Sequence, residues 1–388
     1  SRYESNKIAG VSHFIEHLLF RGTEKRPTAK EISEAIEGMG GIINGGTDKE
    51  TTVYWCKVAR HHFPLALDVL VDMILHPRLA FEDIEKERQV IIEEIKMSYD
   101  SPQQRVGLLV EELLWHNHPL GRDIAGSEES VSAISRRAML SYLKRHYLPG
   151  EMVVSIAGGL EHKESVEAAD RALGDWLGGV KPPVYKPYKE RIIRGLRIER
   201  RDIEQAHICL ALPGLSLFDP QRFVLDLLNI VLGEGMSSRL FCEVRDRLGL
   251  AYSIGSFVEH LADTGSVTVY AGIKPKNLPM ALRVILEQLR RFREEAVPDL
   301  ELSKAKEFVK GRMLLRMEDS RNVAGWIGGQ EVLTRQILDI DQVIAIVDAI
   351  TADEIMGLAR ELLLADRLRL AVVGPIDEDE SLAELLEI

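Results

Sequence analysis

Two hydrophobic periodicities alternate along the chain. In the first half, apolar residues recur every three to four positions over 8–20, 29–39 and the long stretch 62–99, which predicts amphipathic helices with one break at His76-Pro77. Between them, IINGGTDKETTVYWCKV predicts two short strands joined by a polar turn at Asp48-Lys49, and the apolar run MVVSIAGG at 152–159 predicts a buried strand. The second half repeats this order, with strand HICLALPG, helical segments over 223–248, strands AYSIGSFVEH and GSVTVYAG, then a helical region over 278–317. Segment FPLALDVLVDMI at 63–74 aligns with LPMALRVILEQL at 278–289, and MSYDSP at 97–102 aligns with RMEDSR at 316–321. Two copies of one αβ unit are expected.

Short strands paired as hairpins, with long helices segregated between them, predict α+β domains whose mostly antiparallel sheets are covered by helices. The segment LGGVKPPVYKPYKE at 177–190 trades helical periodicity for Gly, Pro, Lys and Tyr, and reads as an interdomain linker. The expected domains are 1–178 and 196–388, joined through 179–195.

Composition narrows the function classes. With 388 residues, 45% of them hydrophobic, the chain can build two sizeable cores. Every apolar run is broken by charge well short of the ~18 residues that a membrane-spanning helix needs, so no membrane role is expected. A net charge of -12 without a basic cluster argues against nucleic acid and favours basic or neutral partners. Cys56, Cys209 and Cys242 show no CxxC spacing, which suits a reducing, cytoplasmic setting. The chain opens at Ser1 without an initiator Met, leaving room for a removed targeting segment.

The chemistry concentrates in His13-Phe14-Ile15-Glu16-His17, inside the first predicted helix. Residues three and four apart share a helix face, so His13, Glu16 and His17 point the same way. Two imidazoles one turn apart can bind one zinc ion, and Glu16 beside them can act on the attacking water. This is the H-x-x-E-H order, the reverse of HExxH. A catalytic zinc takes a third protein ligand. The helix EKERQVIIEEIKM offers Glu87 and Glu94, seven apart and on one face, and spacing alone leaves either open. At the repeat offset (316 against 97), Met313 stands opposite Glu94. No histidine lies between His207 and His260, so the second copy carries no equivalent metal set.

These residues resemble the pitrilysin-type zinc peptidases, the inverzincins, and among them the bacterial relatives of the mitochondrial processing peptidase β subunit. GVSHFIEHLLFRGT is similar to the family's metal helix, and the 76 residues between His17 and Glu94 match its spacing to the third ligand. The resemblance implies one zinc per chain on His13, His17 and Glu94, with Glu87 as a carboxylate orienting a histidine. NGGTDKETTVY resembles the family's NAxTxxExTxY hairpin, whose strand edge pairs with extended substrate; Asn44, Thr47, Glu50 and Tyr54 fall on its positions. Gly45 replaces the usual Ala. MSSRLFCEVRDRLGLAYS resembles the segment with the family's substrate-contacting Arg and Tyr, here Arg245 and Tyr252. A clam-like chamber accepting short unstructured polypeptides, and a homodimer or paired subunit, follow from the same resemblance. Family members carry strands ahead of the metal helix, whereas Ser1 lies a dozen residues before His13, so an incomplete first sheet is expected.

The expected activity is metalloendopeptidase hydrolysis with Glu16 as general base. The competing expectation is a noncatalytic partner or peptide-binding subunit of the same fold.

Overall fold

The computed structural model describes residues 1–176, 178, 184–190, 195–377, 382 and 384–386. Much of the predicted 177–190 linker, and of 179–195, lies outside the described residues. In chain order the elements are α1 (Val11–Leu19), α2 (Ala29–Glu37), β1 (Ile42–Thr47), β2 (Thr52–Lys57), α3 (Phe63–Leu75), α4 (Phe81–Asp100), α5 (Pro102–Leu114), α6 (Glu128–Ala133), α7 (Arg136–His146) and α8 (His162–Leu173). There follow β3 (Gly195–Arg200), β4 (Ala206–Pro213), α9 (Arg222–Gly233), β5 (Ala251–His260), β6 (Gly265–Ile273), α10 (Leu278–Glu294), α11 (Asp299–Arg316), α12 (Ser320–Thr334), α13 (Ile340–Ala349), α14 (Ala352–Leu362) and β7 (Arg369–Gly374).

The chain forms two compact units, neither of them continuous in sequence. One comprises Ser1–Met97, Arg122–Lys186 and Leu315–Ile337; the other comprises Ser98–Gly121, Pro187–Leu314 and Leu338–Ile388. The expected split near the linker is thus modified by an exchange. Helix α5 of the first half belongs to the second unit, and α12 of the second half belongs to the first. The repeat alignment matches these two helices to each other, so the exchange is reciprocal.

In the first unit, β1 and β2 form an antiparallel hairpin, with Ile43 opposite Cys56, Gly45 opposite Tyr54 and Thr47 opposite Thr52. The pleat sends these residues to one face, towards α1 and α2, and Asn44, Trp55 and Lys57 to the other. On that second face α12 docks, with Arg321 over the Trp55 ring at 4.4 Å and Asp319 accepting from Lys57 Nζ at 3.0 Å. A core of Phe14, Ile15, Leu18, Ile32, Ile36, Val69, Met73, Ile84 and Ile91 joins α1 to α4.

The second unit holds a five-stranded sheet in the order β3-β7-β4-β6-β5, antiparallel except where β3 runs parallel to β7. Val106, Leu109, Val110 and Leu114 of α5 cover one face, packing on Cys209, Ala211, Ala371 and Val373. The alternate residues Ile208, Leu210 and Val372 are equally buried, so the central strands are enclosed on both sides. Helix α9 packs along β5, and α14 packs on α9 and α10.

One expectation is corrected, and another gains detail. Residues 152–159 form no ladder among the described residues, and Val153 and Val154 are 39% and 51% exposed. An apolar run becomes a buried strand only when a neighbouring strand pairs with it, and none does here. The helical region 223–248 is interrupted after Gly233: Gly235 adopts φ +91, and the chain re-forms helix at Phe241–Arg247 in wide turns, Leu248 N–H reaching Glu243 O at 3.1 Å.

Candidate metal centre

Helix α1 carries the site on one side and the core on the other. Val11, Phe14, Ile15, Leu18 and Leu19 are buried, while His13, Glu16, His17 and Phe20 line the half-buried remainder. Its start is fixed from a distance. The buried carboxylate of Glu4 accepts from Gly10 N (2.8 Å), Ser12 N (2.9 Å) and the Ser12 hydroxyl, satisfying donors that the first turn leaves free. Gly10 has φ +89, and a Cβ there would lie 2.3 Å from Ala125 O, so only glycine fits.

Three groups converge above this helix. His13 Nε2 lies 3.3 Å from His17 Nε2, and Glu94 Oε2 lies 3.9 Å from the first and 3.6 Å from the second. One ligand atom from each residue falls within 4.8 Å of the others. Glu87, the alternative that spacing left open, faces elsewhere. Its buried carboxylate bonds His17 Nδ1 at 2.9 Å and pairs with Arg21. An acceptor at Nδ1 keeps the proton there and leaves Nε2 with a free lone pair. The other imidazole has no such support: His13 Nδ1 is buried without a hydrogen-bond partner.

The electrostatics differ accordingly. Burial and the neighbouring His17 push His13 down to about 4, so its ring is neutral at ordinary pH. Burial alone would lower His17 too, but the Glu87 hydrogen bond and the charges of Glu94, Glu87 and Glu16 hold it above its usual value. Two imidazole nitrogens and one carboxylate oxygen, converging without a hydrogen bond between the imidazoles and Glu94, suit zinc in chemistry and leave a tetrahedral ion one open position.

Glu16 sits on the hairpin side. Its Oε2 accepts from Thr47 Oγ1 at 2.7 Å, and the half-buried Tyr54 and Tyr147, their hydroxyls 2.8 Å apart, stand close enough to feel its charge. Burial raises both phenols well above the ordinary tyrosine range. No motif in the sequence marks Tyr147; the tertiary pairing with Tyr54 brings it here. Gly45 lies against Glu16, where an added Cβ would sit 3.2 Å from Cγ and 3.0 Å from Phe20. That contact gives the Gly-for-Ala departure a steric context.

The remaining predicted residues have contacts of their own. Asn44 is exposed on the opposite strand face, its Oδ1 accepting from Gly45 N at 2.8 Å. Glu50 pairs with Arg2. Arg245 and Tyr252 belong to the second unit and stand together, the guanidinium 5.6 Å from the ring centre; Tyr252 is 75% exposed. Arg245 occupies the wide-turn segment.

Comparison with known proteins agrees with this fold. Residues 1–128 match the family described as insulinase (peptidase family M16), and residues 133–309 match the peptidase M16 inactive domain. An uncharacterized zinc protease of Streptomyces coelicolor is 35% identical over 98% of this chain and 84% of its own length. One from Bacillus subtilis is 35% identical over 97% of this chain and 90% of its own. A protease from Helicobacter pylori superposes with a TM-score of 0.90 at 20% identity, covering 96% of this chain and 91% of that one. The chain belongs to peptidase family M16, the pitrilysin-type zinc protease family. No described helix is long and apolar enough to cross a membrane.

Proposed function

We propose that this protein is a zinc endopeptidase acting on unstructured polypeptides, with His13, His17 and Glu94 as ion ligands and Glu16 as general base. The observation that carries the reading is the convergence of one ligand atom from each of the three residues within 4.8 Å, on the helix face that also bears Glu16. When bound, zinc supplies Lewis acidity to a scissile carbonyl and lowers the pKa of water towards ~7. Glu16 takes the proton of the attacking water and returns it to the leaving amine, so no serine or cysteine is required. Glu87 holds His17 in the tautomer that presents Nε2. The exposed strand β1, with Asn44, offers backbone donors and acceptors to an extended peptide, and Arg245 with Tyr252 supplies further contacts. The net charge of -12 favours basic or neutral substrates.

The test is cleavage of an unstructured basic fluorogenic peptide by zinc-loaded protein beside Glu16→Gln, which keeps the ligands and loses the base. Turnover in the wild type alone supports the reading. One zinc per chain with no cleavage of a varied peptide set would replace it with that of a noncatalytic subunit.

A further inference from the structure

We infer that Thr47 is a positioning residue for Glu16, its hydroxyl holding one carboxylate oxygen so that the other faces the reaction; this rests on Glu16 being the base. Three observations meet at this point. Thr47 Oγ1 lies 2.7 Å from Glu16 Oε2, and an ionised carboxylate only accepts, so the hydroxyl is the donor. A threonine hydroxyl has a single proton, and this one is committed to Glu16. Directly across the hairpin, Thr52 Oγ1 lies 3.4 Å from Thr47 Oγ1, and with the Thr47 proton so engaged, Thr52 is the donor of that longer contact.

The same strand face also restrains the other side of the carboxylate. Gly45 and Thr47, two apart on β1, point the same way, and a Cβ at Gly45 would be 3.3 Å from Glu16 Oε1. Glu16 is therefore held against β1, with Oε2 hydrogen-bonded and Oε1 left without a hydroxyl partner beside a residue that has no side chain. The resemblance assigns Thr47 to substrate contact. The geometry instead directs its proton at the base, and a hydrogen bond to a charged group fixes orientation more firmly than one between neutral partners.

The two roles separate in kinetics. Thr47→Val keeps the β-branched shape and removes the hydroxyl; kcat should fall about ten- to a hundredfold with KM within about twofold, and Thr47→Ser should recover most of the loss. Zinc affinity, measured by chelator competition, should stay within about twofold in every variant. A raised KM with kcat unchanged would overturn the proposal in favour of a substrate contact. A crystal structure of metal-free Thr47→Val gives a readout independent of turnover: Glu16 should leave its place beside position 47. If the wild type cuts no peptide, the general-base reading fails by itself, and an unmoved Glu16 in that crystal overturns the positioning role as well.

Discussion

His17 and Glu87 are joined by a 2.9 Å hydrogen bond across 70 residues of sequence, and this bond gives the two histidines of the site different characters. His17 has a buried carboxylate behind it, itself paired with Arg21, whereas His13 Nδ1 has no partner. Removing the support should loosen the metal. Glu87→Ala is expected to weaken zinc binding roughly 10- to 100-fold by chelator competition. Glu93→Ala, which removes an exposed carboxylate paired with Lys96, should leave affinity nearly unchanged. Equal effects of the two substitutions would contradict the role given to Glu87.

The contrast also sets how binding responds to pH. His17 is held above its ordinary pKa and His13 is pushed down to about 4, so between these values only His17 carries a proton in the metal-free protein. A metal must displace that proton. Affinity should therefore rise with pH and level off above the His17 titration, with a slope of about one proton from the histidines between pH 5 and 6.5. Calorimetry in buffers of different ionisation enthalpy counts the protons; a slope of two would mean that both rings compete alike.

The start of α1 gives a stability prediction. Gly10 and Gly40 both have positive φ, but a Cβ meets Ala125 O at 2.3 Å in the first case and nothing within 4 Å in the second. Gly40→Ala should cost about 1–2 kcal/mol from backbone strain alone. Gly10→Ala adds a backbone clash and should cost clearly more, about 3 kcal/mol or above, in denaturant unfolding. Similar losses at the two positions would show that the loop around Ala125 yields.

Splitting the chain within 177–190 tests the exchange of α5 and α12. The C-terminal fragment lacks Val106, Leu109, Val110 and Leu114, and so should expose the apolar sheet face formed by Cys209, Ala211, Ala371 and Val373. It is expected to bind a hydrophobic dye and to melt without cooperativity. Co-expression with the N-terminal fragment should restore a sharp transition. A cooperative melt of the isolated fragment would contradict the prediction.

Much of the fold could be read from local pattern. The helices over 62–99, the break near Pro77 and the hairpin with its turn at Asp48-Lys49 all follow from periodicity and turn residues, because each is decided within a few positions. The failures share one cause, dependence on a distant partner. Residues 152–159 have strand composition but no strand beside them. Spacing could not separate Glu87 from Glu94, since both share a helix face and only the approach of α1 gives them different neighbours. Thr47 was visible in its motif, yet its hydrogen bond to Glu16 spans 31 positions. The interruption after Gly233 did leave a signal: Gly-Glu-Gly followed by Met-Ser-Ser is turn composition inside an otherwise helical run.

The placement of α12 also bears on the order in which the protein can be made. A ribosome adding roughly 5–20 residues per second delivers His13, His17 and Glu94 early, but Trp55 and Lys57 wait for Asp319 and Arg321. The unit that bears the metal ligands is completed only when Leu315–Ile337 has emerged. Until then the nascent hairpin presents an uncovered face, open to chaperone capture or misassembly.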